Sequence, residues 1–278
     1  MIGPLITPAE LLAKLDGGAG VIVLDVRWRL GAVNPRGDYD AAHLPGALYV
    51  DLEHDLSGPP DPAAGRHPLP SPERFATTAA GWGVRPESSV IVYDDNGGMS
   101  AARAWWLLRW IGHHHVQVLD GGLGVWRAAG GPVTAELPTS EPAQPVMSDG
   151  RLSMPTVDAD EIGEGRVDIL LDARANARFR GDEEPIDRIA GHIPGALCAP
   201  TSDNLSADGR FRSADELRSR FSEFGVATDR RVAVYCGSGV TAAHEILALE
   251  VAGIRAELFA PSWSGWIADP RRPVATGD

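Results

Sequence analysis

The chain has 278 residues and two thiols, Cys198 and Cys236. The second stands where a thiol can do chemistry. Cys236 ends the apolar run Val232-Ala233-Val234-Tyr235 and is followed at once by Gly237-Ser238-Gly239. From Val240 to Val251 the pattern turns to that of an apolar helix. The stretch reads as strand, tight loop and helix, with the sulfur at the turn. At a helix start the first backbone N–H groups lack partners and the helix dipole is positive. A thiol held there is favoured as thiolate, the nucleophilic form. Small loop residues let N–H groups from Gly237 to Thr241 converge on one sulfur. The competing reading is a small, buried, inert residue at a strand end.

The elements that position this loop occur twice. Val21-Ile22-Val23-Leu24-Asp25-Val26-Arg27 matches Asp168-Ile169-Leu170-Leu171-Asp172-Ala173-Arg174, each a strand ending in Asp-x-Arg. His43-Leu44-Pro45-Gly46 matches His192-Ile193-Pro194-Gly195. Val90-Ile91-Val92-Tyr93-Asp94 matches Val232-Ala233-Val234-Tyr235-Cys236, and Asp120-Gly121-Gly122 matches Ala260-Pro261-Ser262. The offset is roughly 140–150 residues, the size of a domain rather than of a solenoid repeat. Thr7-Pro8-Ala9-Glu10, Ser71-Pro72-Glu73 and Ser213-Ala214-Asp215-Glu216 each start a helix with capping residues, the first two with proline at the first helical position. Strands alternating with helices predict an α/β fold: two tandem domains, each a mostly parallel sheet flanked by helices. Ligands of such sheets sit at the carboxyl ends of strands, where Cys236 lies. The proline-rich stretch 134–145 is a linker, which gives domains at 1–138 and 150–278. Asp94 takes the cysteine position in the first copy. A carboxylate cannot perform thiol chemistry, so the first domain is expected to be architectural and the second catalytic.

Composition narrows the partners. Apolar residues make up 44% and charged residues 23%, as in a soluble globular protein. No stretch is long and apolar enough to cross a membrane. Met1-Ile2-Gly3-Pro4-Leu5 is not a secretory leader, so a cytoplasmic location is expected. A net charge of −13 argues against nucleic acid and anionic membranes. It still allows a small anionic substrate held by local arginines. Two cysteines make no disulfide framework. His113-His114-His115 are consecutive, so the three cannot all face one metal ion. Gly97-Gly98 and Gly121-Gly122 lack the Gly-Lys-Ser/Thr ending of a phosphate loop. Neither metal nor organic cofactor is expected. Cys198 reads as a packed thiol.

With these motifs in place, the sequence resembles the tandem-domain rhodanese-like sulfurtransferases over nearly its whole length. The loop Cys236-Gly237-Ser238-Gly239-Val240-Thr241 is most similar to that of the 3-mercaptopyruvate sulfurtransferases. The resemblance implies a Cys236 nucleophile and a serine-histidine-acid arrangement of Ser238, His67 and Glu53, the last where the family has aspartate. It implies a persulfide cradled by Gly237, Gly239, Val240 and Thr241, with Arg178 and Arg188 on the substrate carboxylate. The implied reaction moves a sulfane sulfur from a small anionic donor, 3-mercaptopyruvate, to cyanide, a thiol or a thioredoxin-type acceptor. Thiosulfate-specific relatives carry cations after the cysteine, where this chain has Gly237 and Ser238. A thiosulfate sulfurtransferase remains the alternative donor reading, and a non-catalytic sulfur carrier or binding module the alternative of another class. A cysteine phosphatase is disfavoured, because no arginine closes the loop to bind phosphoryl oxygens. Ala260-Pro261-Ser262-Trp263 replaces the family's Asp-Gly-Ser-Trp.

Overall fold

A computed structural model describes residues 3–18, 20–29, 31–145 and 152–278. The domain boundary expected at 138–150 therefore runs partly outside the described residues. The chain divides into two compact units. The first comprises Met1–Ser57, Pro70–Met154 and Ser206–Phe211; the second comprises Gly58–Leu69, Pro155–Leu205 and Arg212–Asp278. Gly58–Leu69 thus belongs by sequence to the first copy and by packing to the second unit.

The first unit contains strands β1 (Leu5–Ile6), β2 (Val21–Asp25), β3 (Leu48–Tyr49), β4 (Ser89–Tyr93) and β5 (Val116–Leu119), in the order β1-β5-β4-β2-β3. The second contains β6 (Ile169–Asp172), β7 (Leu197–Cys198), β8 (Val232–Tyr235) and β9 (Glu257–Leu258), in the order β7-β6-β8-β9. Every pairing is parallel. Parallel neighbours need crossovers, and helices supply them. Helix starts lie where capping chemistry places them. Thr7 and Glu10 form a reciprocal capping box, as do Ser213 and Glu216, and Ser71 accepts from the Arg74 N–H. The central strands β4, β6 and β8 are buried almost throughout, which accounts for continuous rather than alternating apolar runs.

The repeated motifs do the same work in both units. Tyr93 Oη accepts the Leu44 N–H at 3.0 Å, and Tyr235 Oη accepts the Ile193 N–H at 3.1 Å. His43 stacks on Tyr39 and donates from Nδ1 to its carbonyl; His192 does so with Phe179. The histidines of His-x-Pro-Gly are therefore packing joints. Arg27 pairs with Asp25, and Arg174 with Asp172, inside the protein. Trp126 and Trp266 each fill a core and donate their indole N–H to a proline carbonyl. Among the described residues, no helix is long and apolar enough to cross a membrane.

Candidate active site

β8 delivers Cys236 to the carboxyl edge of the second sheet, with the residue 2% exposed. The Gly239 N–H donates to Cys236 Sγ at 3.1 Å. Gly239 has φ +81°, and a Cβ there would lie 2.5 Å from the Ala260 carbonyl oxygen, so this turn requires glycine. The segment after β9 braces the loop from behind. Cys236 donates its own N–H to Ser262 Oγ at 3.1 Å, and that hydroxyl donates onward to the Phe259 carbonyl. Trp263 and Ser264 donate backbone N–H groups to the carbonyls of Cys236 and Gly237. Ser262 is the one non-glycine with positive φ (54°) among the described residues, a strained conformation held by these contacts. The departure Ala260-Pro261 from the family pattern leaves this brace in place.

The helix Thr241–Val251 follows, and no side chain caps its start at Val240. A buried polar network anchors its first turns. Thr201 Oγ1 and His244 Nδ1 are 2.6 Å apart, and Glu245 accepts from Asn204 at 2.6 Å and from Arg220 at 3.1 Å. Burial pushes the Glu245 carboxyl up, against the opposing charge of Arg220.

The strap Gly58–Leu69 brings the remaining groups. It closes on itself through the Gly58 N–H to the Pro68 carbonyl. It docks where the Arg66 N–H donates to Ser264 Oγ at 3.1 Å. His67 Nδ1 lies 2.7 Å from Ser238 Oγ, with both residues buried. The structure thus joins the expected histidine and serine beside the thiol. Glu53, expected to act with them, belongs to the first unit. There its carboxylate accepts from the Trp28 indole at 3.2 Å, and its backbone N–H donates to Asp51.

The arginines are arranged differently from the sequence expectation. Arg178 reaches the loop, but its companion there is Arg66. A Cβ at Gly237 would lie 2.9 Å from Arg66 Nη2 and 3.4 Å from Arg178 Nη1. Arg188 instead directs its guanidinium to the Ile267 carbonyl. Two carboxylates accept hydrogen bonds from the pair over Gly237. Glu184 accepts from Arg178 at 2.7 and 2.9 Å; Asp187 accepts from Arg178 at 3.1 Å through one oxygen and from Arg66 through the other. Burial would raise the Glu184 carboxyl, but the Arg178 hydrogen bonds outweigh it and hold it low. For Asp187 burial wins against Arg66, and its carboxyl is raised. Arg66, Ser262, Glu184 and Asp187 escaped the sequence reading. The one available signal was the position of Arg66 immediately before His67.

Cys198 pairs in register with Asp172, whose other neighbour is Tyr235. Two strand spacings, about 10 Å, therefore separate Cys198 from the strand that carries Cys236, too far for a disulfide without rearrangement. Burial pushes the Cys198 thiol up to about 11, which keeps it protonated at neutral pH.

The rhodanese-like domain family matches residues 7–129 and 157–269. The chain belongs to the rhodanese-like family. It is 48% identical, over 99% of its length and 98% of the relative's, to the "Probable 3-mercaptopyruvate sulfurtransferase" of Pseudomonas aeruginosa. It is 45% identical, over 98% and 97%, to the "Putative thiosulfate sulfurtransferase SseB" of Mycobacterium tuberculosis. Among solved structures, the 3-mercaptopyruvate sulfurtransferase from Leishmania major superposes with a TM-score of 0.82 at 28% identity, over 94% of this chain and 73% of that one. The fold is the pair of tandem α/β domains expected from the repeat, of the rhodanese-like kind that the resemblance implied, and the chain is a sulfurtransferase of that family.

In this rhodanese-like chain the first domain builds the same loop around Asp94. Its Oδ1 accepts from the N–H groups of Asn96 and Gly98, and its Oδ2 from those of Ser100 and Ala101, all between 2.8 and 3.0 Å. Gly122, with φ +57°, stands where the second domain has Ser262, and the Leu123 N–H donates to the Asp94 carbonyl.

Proposed function

We propose that this sulfurtransferase takes sulfur from 3-mercaptopyruvate onto Cys236 and passes it to a small thiol, cyanide or a thioredoxin-type protein in the cytoplasm. The observation that carries the donor assignment is the pair of guanidiniums, Arg66 and Arg178, over Gly237, next to a hydroxyl already bonded to a histidine. Guanidinium binds carboxylate through two parallel hydrogen bonds. In 3-mercaptopyruvate a short carbon chain joins carboxylate to sulfur, so a carboxylate seated over Gly237 leaves the sulfur facing the neighbouring residue, Cys236.

The Cys236 thiolate attacks the donor sulfur. A sulfur–sulfur bond forms, the donor's carbon–sulfur bond breaks, and its electron pair passes into the enolate of pyruvate. Ser238 donates a hydrogen bond to the donor carbonyl oxygen as that charge develops, and His67 Nδ1 holds the serine in position. The donor's thiol proton ends on the methyl carbon of pyruvate. The loop N–H groups from Gly237 to Thr241 stabilise the persulfide anion. In the second half-reaction the acceptor attacks the outer sulfur, and the Cys236 thiolate leaves.

Thiosulfate is the second reading, favoured by the name of the M. tuberculosis relative and by the cation that Arg66 brings to an otherwise neutral loop. Parallel steady-state assays separate the two. The proposal expects a higher kcat/KM with 3-mercaptopyruvate and stoichiometric pyruvate release. A higher kcat/KM with thiosulfate would overturn the donor assignment.

A further inference from the structure

The arginine seat is already full. Arg66 and Arg178 are matched by Glu184 and Asp187, while Arg174 is matched by Asp172 at 2.6 Å. A donor carboxylate that takes Arg66 and Arg178 would compete with the carboxylates already bonded to them. One of the resident carboxylates must give way. Glu184 is pinned: besides Arg178 it accepts the backbone N–H groups of Ile186 and Asp187, at 3.1 and 3.0 Å. Among the described residues, the Asp187 carboxylate accepts from the two guanidiniums alone. Its two oxygens face one arginine each, as those of a bound donor carboxylate would. Asp187 also has somewhere to go. It lies in a segment without helix or strand, between Gly181 and Gly191, both with positive φ. It lines a cavity of about 530 Å3 together with Arg66, Ile186, Arg188 and Ser264.

We propose that Asp187 is an internal stand-in for the donor carboxylate: it keeps Arg66 and Arg178 occupied until the donor displaces it, and so sets the affinity for anionic donors. This rests on the reading that these arginines seat the donor. Displacement costs affinity in proportion to how fully the closed state is populated. If the seat is closed about nine-tenths of the time, apparent affinity falls about tenfold. Removing the competing charge returns that factor, and the chemical step is untouched. A residue that merely holds the arginines in place has the opposite signature, because its loss disorders the seat.

The test is steady-state turnover of the full-length chain with 3-mercaptopyruvate, comparing wild type, Asp187→Asn, Asp187→Ala and Arg66→Met. The expected result is a KM lowered about tenfold in both Asp187 variants with kcat within about twofold, and a KM raised in Arg66→Met. A KM that is unchanged or raised in both Asp187 variants overturns the proposal. The seat itself survives that outcome if Arg66→Met still raises KM. If Arg66→Met leaves KM unchanged, the seat reading fails and the proposal falls with it.

Discussion

The loop after β4 and the loop after β8 start from the same strand, turn and helix, and they end as different devices. In the first, Asp94 spends both carboxylate oxygens on four N–H groups of its own loop, including those of Ser100 and Ala101 at the helix start. The anion site is filled by the chain itself. In the second, a single sulfur accepts from Gly239, and the helix start at Val240 has no side-chain cap. The first loop is also longer, running from Asp94 to the helix at Ala101, against Cys236 to the helix at Thr241. A branched carboxylate caps a helix and stops there. On the proposed reaction, the outer sulfur of a Cys236 persulfide would take the place that the second carboxylate oxygen fills in the first loop. The difference shows that this fold builds an anion cradle as a structural element, which Asp94 fills in the first domain and which holds the Cys236 sulfur in the second.

If that comparison holds, its largest consequence is for stability. Burial pushes the Asp94 carboxyl up, and four N–H groups oppose it. Asp94→Ala strands those donors and should cost about 3 kcal/mol, read by urea denaturation. Cys236→Ala should cost about 1 kcal/mol or less. Equal costs would mean that the two loops are not cap and catalyst.

The second consequence concerns charge. Arg66→Met should raise KM for 3-mercaptopyruvate by about 10- to 100-fold, the worth of a charge-assisted bidentate contact. Arg188→Met should leave KM within about twofold, since Arg188 faces the Ile267 carbonyl. The reverse ranking would restore the sequence assignment.

The repeat made the fold readable. Strand composition, the capping residues at Thr7 and Ser213, and glycines at the turns are local chemistry, and local chemistry is written in order along the chain. Cys236 was readable for the same reason: the glycines that let N–H groups approach the sulfur are its neighbours. Arg66 was not, because its role depends on Gly58–Leu69 packing into the unit to which it does not belong by sequence. Ser262 was hidden because nothing in a serine announces a positive φ; the constraint comes from the Cys236 N–H and the Phe259 carbonyl. The bond between Asp187 and Arg66 joins residues 121 apart in sequence, and the short segment 182–190 offered Arg188 as the nearer candidate.

A smaller effect isolates the hydroxyl. Ser238→Ala should lower kcat with 3-mercaptopyruvate about tenfold while changing thiosulfate turnover little, because thiosulfate has no carbonyl to polarise. An equal loss with both donors would assign Ser238 to the loop's shape instead. The smallest effect belongs to the other thiol. With its thiol pushed up to about 11, Cys198 should react slowly with iodoacetamide near pH 8, where about one part in a thousand is thiolate. Cys198→Ser should leave turnover within about twofold.

The central claim is that one of two cradles carries sulfur, and it is tested most directly by weighing the peptides. The protein is treated with 3-mercaptopyruvate without acceptor, digested under non-reducing conditions, and analysed by mass spectrometry. The account predicts a gain of one sulfur atom on the peptide containing Cys236, none on that containing Cys198, and no gain in Cys236→Ser. Sulfur on Cys198, or a wild-type Cys236 peptide of unchanged mass, would contradict it.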